Sequence, residues 1–103
     1  MELFNSLRHK KNGAVALTEE QEKLLNDSSK ILEILKKCGH YSAIEFDELR
    51  YHLRRGGFNG TDEEIADTLM FLSRNGILSW GGRNCSIGFE KHRLPESLQI
   101  LKF

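Results

Sequence analysis

The side chains able to do chemistry in this chain begin with two cysteines, Cys38 and Cys85, and four histidines, His9, His40, His52 and His92. Cys38, His40, Cys85 and His92 could in number supply a zinc site. No C-x-x-C or H-x3-H pair anchors one, however. No nucleophile elbow, phosphate loop or H-E-x-x-H occurs either. A disulfide would tie the end of one helix to a distant strand, and nothing in the spacing requires it. Two buried thiols in a reducing compartment are expected instead. His40, just beyond a helix C-terminus, is favoured when charged, so capping is its expected role. These residues point to a non-enzymatic chain with no catalytic residue, no metal and no cofactor.

A second set could meet phosphates and bases. It comprises Lys10 and Lys11, Arg54 and Arg55, Asn59 and Thr61, Thr68 and Arg74, and Arg83 with Asn84. A third set opposes it. Asp62, Glu63, Glu64 and Asp67 crowd into one short stretch. Overall, 15 basic residues balance 15 acidic ones, so strong non-specific binding to nucleic acid is not expected. The distribution is uneven. Residues 1–17 set Arg8, Lys10 and Lys11 against Glu2, net +2. Residues 61–76 set those four acids against Arg74, net −3. Residues 77–103 set Arg83, Lys91, Arg93 and Lys102 against Glu90 and Glu96, net +2.

The elements that must position these groups are legible. The chain has 103 residues, enough for one domain with one modest core. Apolar content of 39% and charged content of 29% suit a globular domain rather than disorder. No apolar run is long enough to span a membrane. The opening MELFNSLRHKK lacks an apolar core and a small-residue cleavage site, so a cytoplasmic home is expected, or a nuclear one in a eukaryote. Residues 1–17 read as an arm, with Leu3, Phe4 and Leu7 on one side of a short helix and Asn12-Gly13 as a break. Thr18 with Gln21 forms a capping box that opens a long helix. Its apolar stripe takes in residues 24, 25, 31, 32, 35 and 38, and Gly39 closes it.

Tyr41 to Ile44 suit a brief extended segment. EFDELRYHLRR then places Phe46, Leu49 and Leu53 on one side of a second helix, ended by Gly56-Gly57. Phe58 is expected to tuck inward from the turn. Thr61 with Glu64 opens a third helix whose inner stripe is Ile65, Leu69 and Leu72, stopped by Gly76. Two strands follow, Ile77–Trp80 and Cys85–Glu90, joined by Gly81-Gly82-Arg83-Asn84. Cys85, Ile87 and Phe89 alternate onto one face. Pro95 opens a tail or short helix over residues 94–103.

The order helix, short strand, helix, turn, helix, strand, turn, strand resembles the winged-helix group of helix-turn-helix domains. FDELRYHL, EEIADTLMFLSRNGIL and SWGGRNCSIGF carry the resemblance, which covers residues 18–90. It implies an α+β, mostly helical fold: a three-helix core with a C-terminal β-hairpin wing over residues 18–93. In DNA-binding members the third helix enters the major groove and the wing touches flanking DNA. The function implied first is a small transcriptional regulator that binds double-stranded DNA. It would act as a homodimer through the arm, the first helix or the tail.

The charge argues the other way. With the inner stripe fixed, the outer side is expected to show Glu63, Glu64, Asp67, Thr68, Phe71 and Arg74. At an effective dielectric of about 20, like charges 4 Å apart repel by about 4 kcal/mol before salt screening. First-turn carboxylates have a structural use, since each stabilises its helix by about 0.3–1 kcal/mol. They would still face phosphate. Counterweights would be Arg54, Arg55, Arg83, Asn84, Lys10 and Lys11. The alternative function is a protein-interaction module, an adaptor or inhibitor that binds no DNA. Its surface would comprise Glu63, Asp67 and an outward Phe71 set beside Tyr51 or Trp80.

Overall fold

The computed structural model describes residues 17–38 and 42–103. The arm with Lys10 and Lys11, and the segment holding Gly39 and His40, lie outside the described residues. Three helices, α1 (Glu19–Lys37), α2 (Phe46–Arg55) and α3 (Asp62–Arg74), surround one core. A small antiparallel sheet pairs β1 (Ala43–Ile44) with β2 (Ile87–Gly88). The fold is α+β and mostly helical, and none of its helices is long and apolar enough to cross a membrane among the described residues.

Local chemistry explains where the helices start. Thr18 accepts the Gln21 amide at 3.1 Å, and the Gln21 side chain accepts the Thr18 amide, so two orphan donors are satisfied together. Thr61 and Glu64 repeat the device on α3, at 3.1 and 2.8 Å. Glu45 makes no side-chain cap on α2.

The ends of α2 and α3 share one motif. The Phe58 amide bonds the Leu53 carbonyl and the Gly57 amide bonds that of Arg54. In the same way Ile77 bonds Leu72 and Gly76 bonds Ser73. This Schellman closure needs a left-handed residue one step past the cap. Gly57 (φ +91°) and Gly76 (φ +73°) supply it without a Cβ penalty.

The helices turn their apolar stripes together. Leu25, Ile31, Leu32 and Leu35 of α1, Phe46, Leu49 and Leu53 of α2, and Ile65, Leu69 and Leu72 of α3 are buried, and Phe58 joins them from the turn. α3 buries a wider arc than its inner stripe predicts. Thr68 and Phe71, expected outside, are both within. The Thr68 hydroxyl donates to the Glu64 carbonyl at 2.8 Å, so it needs no solvent. Phe71 is covered by the tail: Phe103 stacks on it with centroids 5.4 Å apart. Asn75 holds that tail in place. Its side chain accepts the Lys102 amide at 2.7 Å and donates to the Lys102 carbonyl at 3.0 Å.

The segment after α3 is less ladder-like than a two-strand hairpin. Ser79 and Gly88 exchange both backbone hydrogen bonds at 2.8 Å, but this is a single bridge. The longer pairing of Gly88 and Ile87 is with Ala43 and Ile44. Ile87 and Phe89 are buried as the alternation predicts. Cys85 is exposed, contrary to it. Its amide bonds the Gly82 carbonyl, so it still belongs to the turn, where two-residue alternation has not begun. Cys38 is half-buried, so neither thiol is a core residue as expected. Burial raises the Cys38 thiol pKa, with Glu48 adding to the shift. The tail runs through two single turns, Lys91–Arg93 and Leu98–Ile100, rather than one helix.

Candidate functional site

Two surfaces gather the polar residues that the sequence singles out. One is the arginine edge of α2 and the turn after Trp80. The other is the groove between α1 and α3, with the outer side of α3.

On the arginine edge, charge is absorbed by the fold itself. Arg50 donates to Asp62 at 2.7 Å and to Asp47 at 2.9 Å. Arg54 donates to the carbonyls of Phe58 (3.2 Å) and Gly60, clamping the turn between α2 and α3. It also lies 3.7 Å from Asp62. Arg55 donates to the Tyr51 hydroxyl at 2.9 Å and lies over that ring. Arg83 bends back from the turn and sits 5.5 Å from the Phe46 ring centroid, with Arg50 6.0 Å from the same ring. Trp80 stacks on Phe46 at 5.9 Å and is buried. Its indole N–H has no partner among the described residues. Ser86 donates to Glu45 at 2.5 Å, fastening the turn to the start of α2.

On α3 the exposed residues form a narrow stripe. Glu63, Asp67, Met70 and Arg74 follow one another at i, i+4, i+7 and i+11, which is one face of a helix. Met70 is 46% exposed. Beside the stripe, Glu20, Lys23, Leu24 and Asp27 of α1 meet Glu64, Asp67 and Thr68 of α3 across a groove of about 360 Å³. The Lys23 ammonium lies 2.5 Å from Glu64 and 3.2 Å from Asp27. Lys23 and the Thr61 amide hold the Glu64 carboxyl down, to a pKa of about 2. Asp27 moves the opposite way: burial raises its pKa, and Lys23 only partly offsets that. Lys23 itself is raised, chiefly by Glu64.

The sequence-selected residues therefore divide. Glu63, Asp67 and Arg74 share the outer stripe. Asn59, Arg54, Arg55, Tyr51, Arg83 and Asn84 are exposed, in the turn, on α2 and at the tip of the second turn. Thr61 is occupied as a cap. Thr68, Phe71 and Trp80 are buried, so no exposed aromatic patch forms from Phe71 and Trp80; their rings serve the tail and Phe46. Three further residues define the two surfaces. Met70 completes the stripe. Asp27 lies three residues after Leu24 and four before Ile31, so an acid on the apolar stripe is the signal for it. Arg50 follows Asp47 at i+3, a spacing that announces an ion pair.

Comparison with protein-family models, curated proteins and solved structures finds no match. Among the described residues, no three His, Cys, Asp or Glu side chains group so as to hold a metal ion.

Proposed function

We propose that this chain is a winged-helix domain that works as a protein-interaction module, meeting its partner through the outer side of α3. Support for the fold comes from the element order and from a sheet that joins the segment before α2 to the ribbon after α3. One observation carries the function. The stripe a reader would lay in a DNA groove shows Glu63, Asp67, Met70 and Arg74. The arginines that could offset those acids face acceptors of the fold itself: Asp47, Asp62, the turn carbonyls and the rings of Tyr51 and Phe46. Lifting them onto phosphates would break those contacts first.

The DNA-binding regulator remains the second reading, on the strength of Arg83. It is exposed, near the tip of a turn, and makes no ion pair among the described residues. A salt titration on random duplex DNA separates the two. The module should show no saturable binding at about 50 mM salt. A DNA reader with about five phosphate contacts would give a log–log slope near −4.5. Such a slope, flattened by Arg83→Glu, would replace the first reading with the second. Sedimentation of the same samples tests the homodimer expected of a regulator.

A further inference from the structure

We infer that the α1–α3 groove and the stripe beside it dock a basic amphipathic segment of a partner protein. An arginine or lysine of that segment enters between Asp27, Glu64 and Asp67, and its apolar side covers Met70. The inference rests on the protein-module reading and names the chemistry of the partner.

The fold already shows what the groove accepts. Lys23 places its ammonium between Glu64 and Asp27, within ion-pair distance of both, and keeps 52% of its side chain exposed. That is one cation against four carboxylates, Glu20, Asp27, Glu64 and Asp67, a net of −3. Glu20, Glu63 and Asp67 make no ion pair among the described residues. Asp27 is the telling member. It is 9% exposed, and among the described residues its partner is Lys23, through one carboxylate oxygen. A buried charge ordinarily needs several partners to offset its desolvation. A second cation entering the groove would supply one.

The occupant's class follows from the layout. A free metal ion needs converging ligands, and the described acids do not converge in that way. Anionic surfaces such as nucleic acid would meet like charge. A chain-borne cation fits, because the acids are spread over two helices and bordered by an exposed apolar residue. Met70 lies three residues after Asp67, so a docked helix would place a basic residue and an apolar one a turn apart. Methionine is unbranched and adapts to the apolar surface it meets. Arg74, at the far end of the stripe, sets direction: an acidic residue of the partner belongs there and its basic end over Glu63 and Asp67.

The test uses the full chain and two helical peptides of equal length and equal leucine content. One carries arginines on its polar face and the other glutamates. Backbone-amide NMR shifts locate each peptide. The arginine peptide should move amides of Glu20–Asp27 and Glu64–Met70, and the glutamate peptide should not. Asp67→Lys should weaken the arginine peptide about tenfold, since like-charge juxtaposition is strongly penalised. Asp27→Asn should weaken it less. Asp67 is exposed, so its variant should keep the wild-type amide pattern elsewhere. Equal binding of the two peptides, no shifts at saturating arginine peptide, or an affinity indifferent to Asp67→Lys would overturn the inference. Arginine-peptide shifts confined to the Phe46–Trp80 corner would overturn the groove while leaving the module reading intact. Steeply salt-dependent duplex binding would overturn both.

Discussion

The arginine edge and the α1–α3 groove hold opposite charges and treat them differently. On the edge, each of Arg50, Arg54 and Arg55 reaches an acceptor, and Arg50 and Arg83 also lie over the Phe46 ring. In the groove, one lysine serves two acids and the other acids look outward. The arginines of the first surface are engaged within the fold, whereas Glu20 and Asp67 of the second make no ion pair among the described residues. Unsatisfied charge next to exposed apolar surface is what a partner can use, because binding supplies contacts the free chain lacks. The count of basic residues is thus a poor guide to phosphate binding. What matters is whether a guanidinium is free to leave its present acceptor.

The largest test of this contrast is Phe46→Ala. Phe46 is 5% exposed, stacks on Trp80 and lies under both Arg50 and Arg83. Truncating a buried phenylalanine costs about 3–5 kcal/mol. Denaturant unfolding should show that loss, and Trp80 fluorescence should shift to the red in the native baseline as its ring becomes wet. A loss below about 1 kcal/mol with unchanged emission would mean that the corner is held from elsewhere, and its arginines would then be freer than the contacts suggest.

Asp27→Asn probes the groove with a smaller effect. Burial raises the folded pKa of Asp27 above its ordinary 3.8. The sign follows from linkage: a group with a raised pKa favours folding most below its unfolded pKa and loses that contribution as pH climbs through the folded value. Asparagine does not titrate and still offers an oxygen to Lys23. The variant should therefore gain on the wild type as pH rises from about 4 to 7, by no more than about 1 kcal/mol after the lost ion pair is counted. Parallel stability curves from pH 3 to 7 would show that Asp27 is not destabilised by its place in the groove.

Most of the scaffold was legible because its signals are local. Thr18 with Gln21, Thr61 with Glu64, and Gly57 and Gly76 fix helix ends through neighbours a few residues away. The stripes of α1, α2 and α3 need only the helical repeat. What was not legible depends on distant partners. Phe71 is buried because Phe103, brought back by the Asn75 clamp, lies over it. Arg83 folds onto Phe46 from beyond α2 and α3. The short ribbon after α3 also depends on a distant segment, since Gly88 lies between Ala43 on one edge and Ser79 on the other. At the candidate site, the acids on α3 could be read from the chain. Asp27 shows itself as an acid on an apolar stripe, but that Glu20, Lys23 and Asp27 of α1 lie beside those acids could not be read, because only the packing of two helices brings them together.

The smallest effect is the most specific to the groove. Glu64 has two jobs: its carboxylate accepts the Thr61 amide as half of the capping box, and it pairs with Lys23. Glu64→Gln should keep the first job, since glutamine serves equally in a capping box, and lose the second. Glu64 holds its folded pKa at about 2, below its ordinary 4.5. A depressed pKa stabilises the fold above the unfolded value and ceases to as pH falls through the folded one. The wild type should thus exceed the variant by a constant, modest margin above about pH 4.5, shrinking toward pH 2, and high salt should shrink it at neutral pH as well. Because the Thr61 amide also holds the carboxyl down, salt is the deciding variable: a margin at neutral pH that high salt left unchanged would assign the effect to the cap, and Lys23 would then be a bystander rather than the cation that marks the groove.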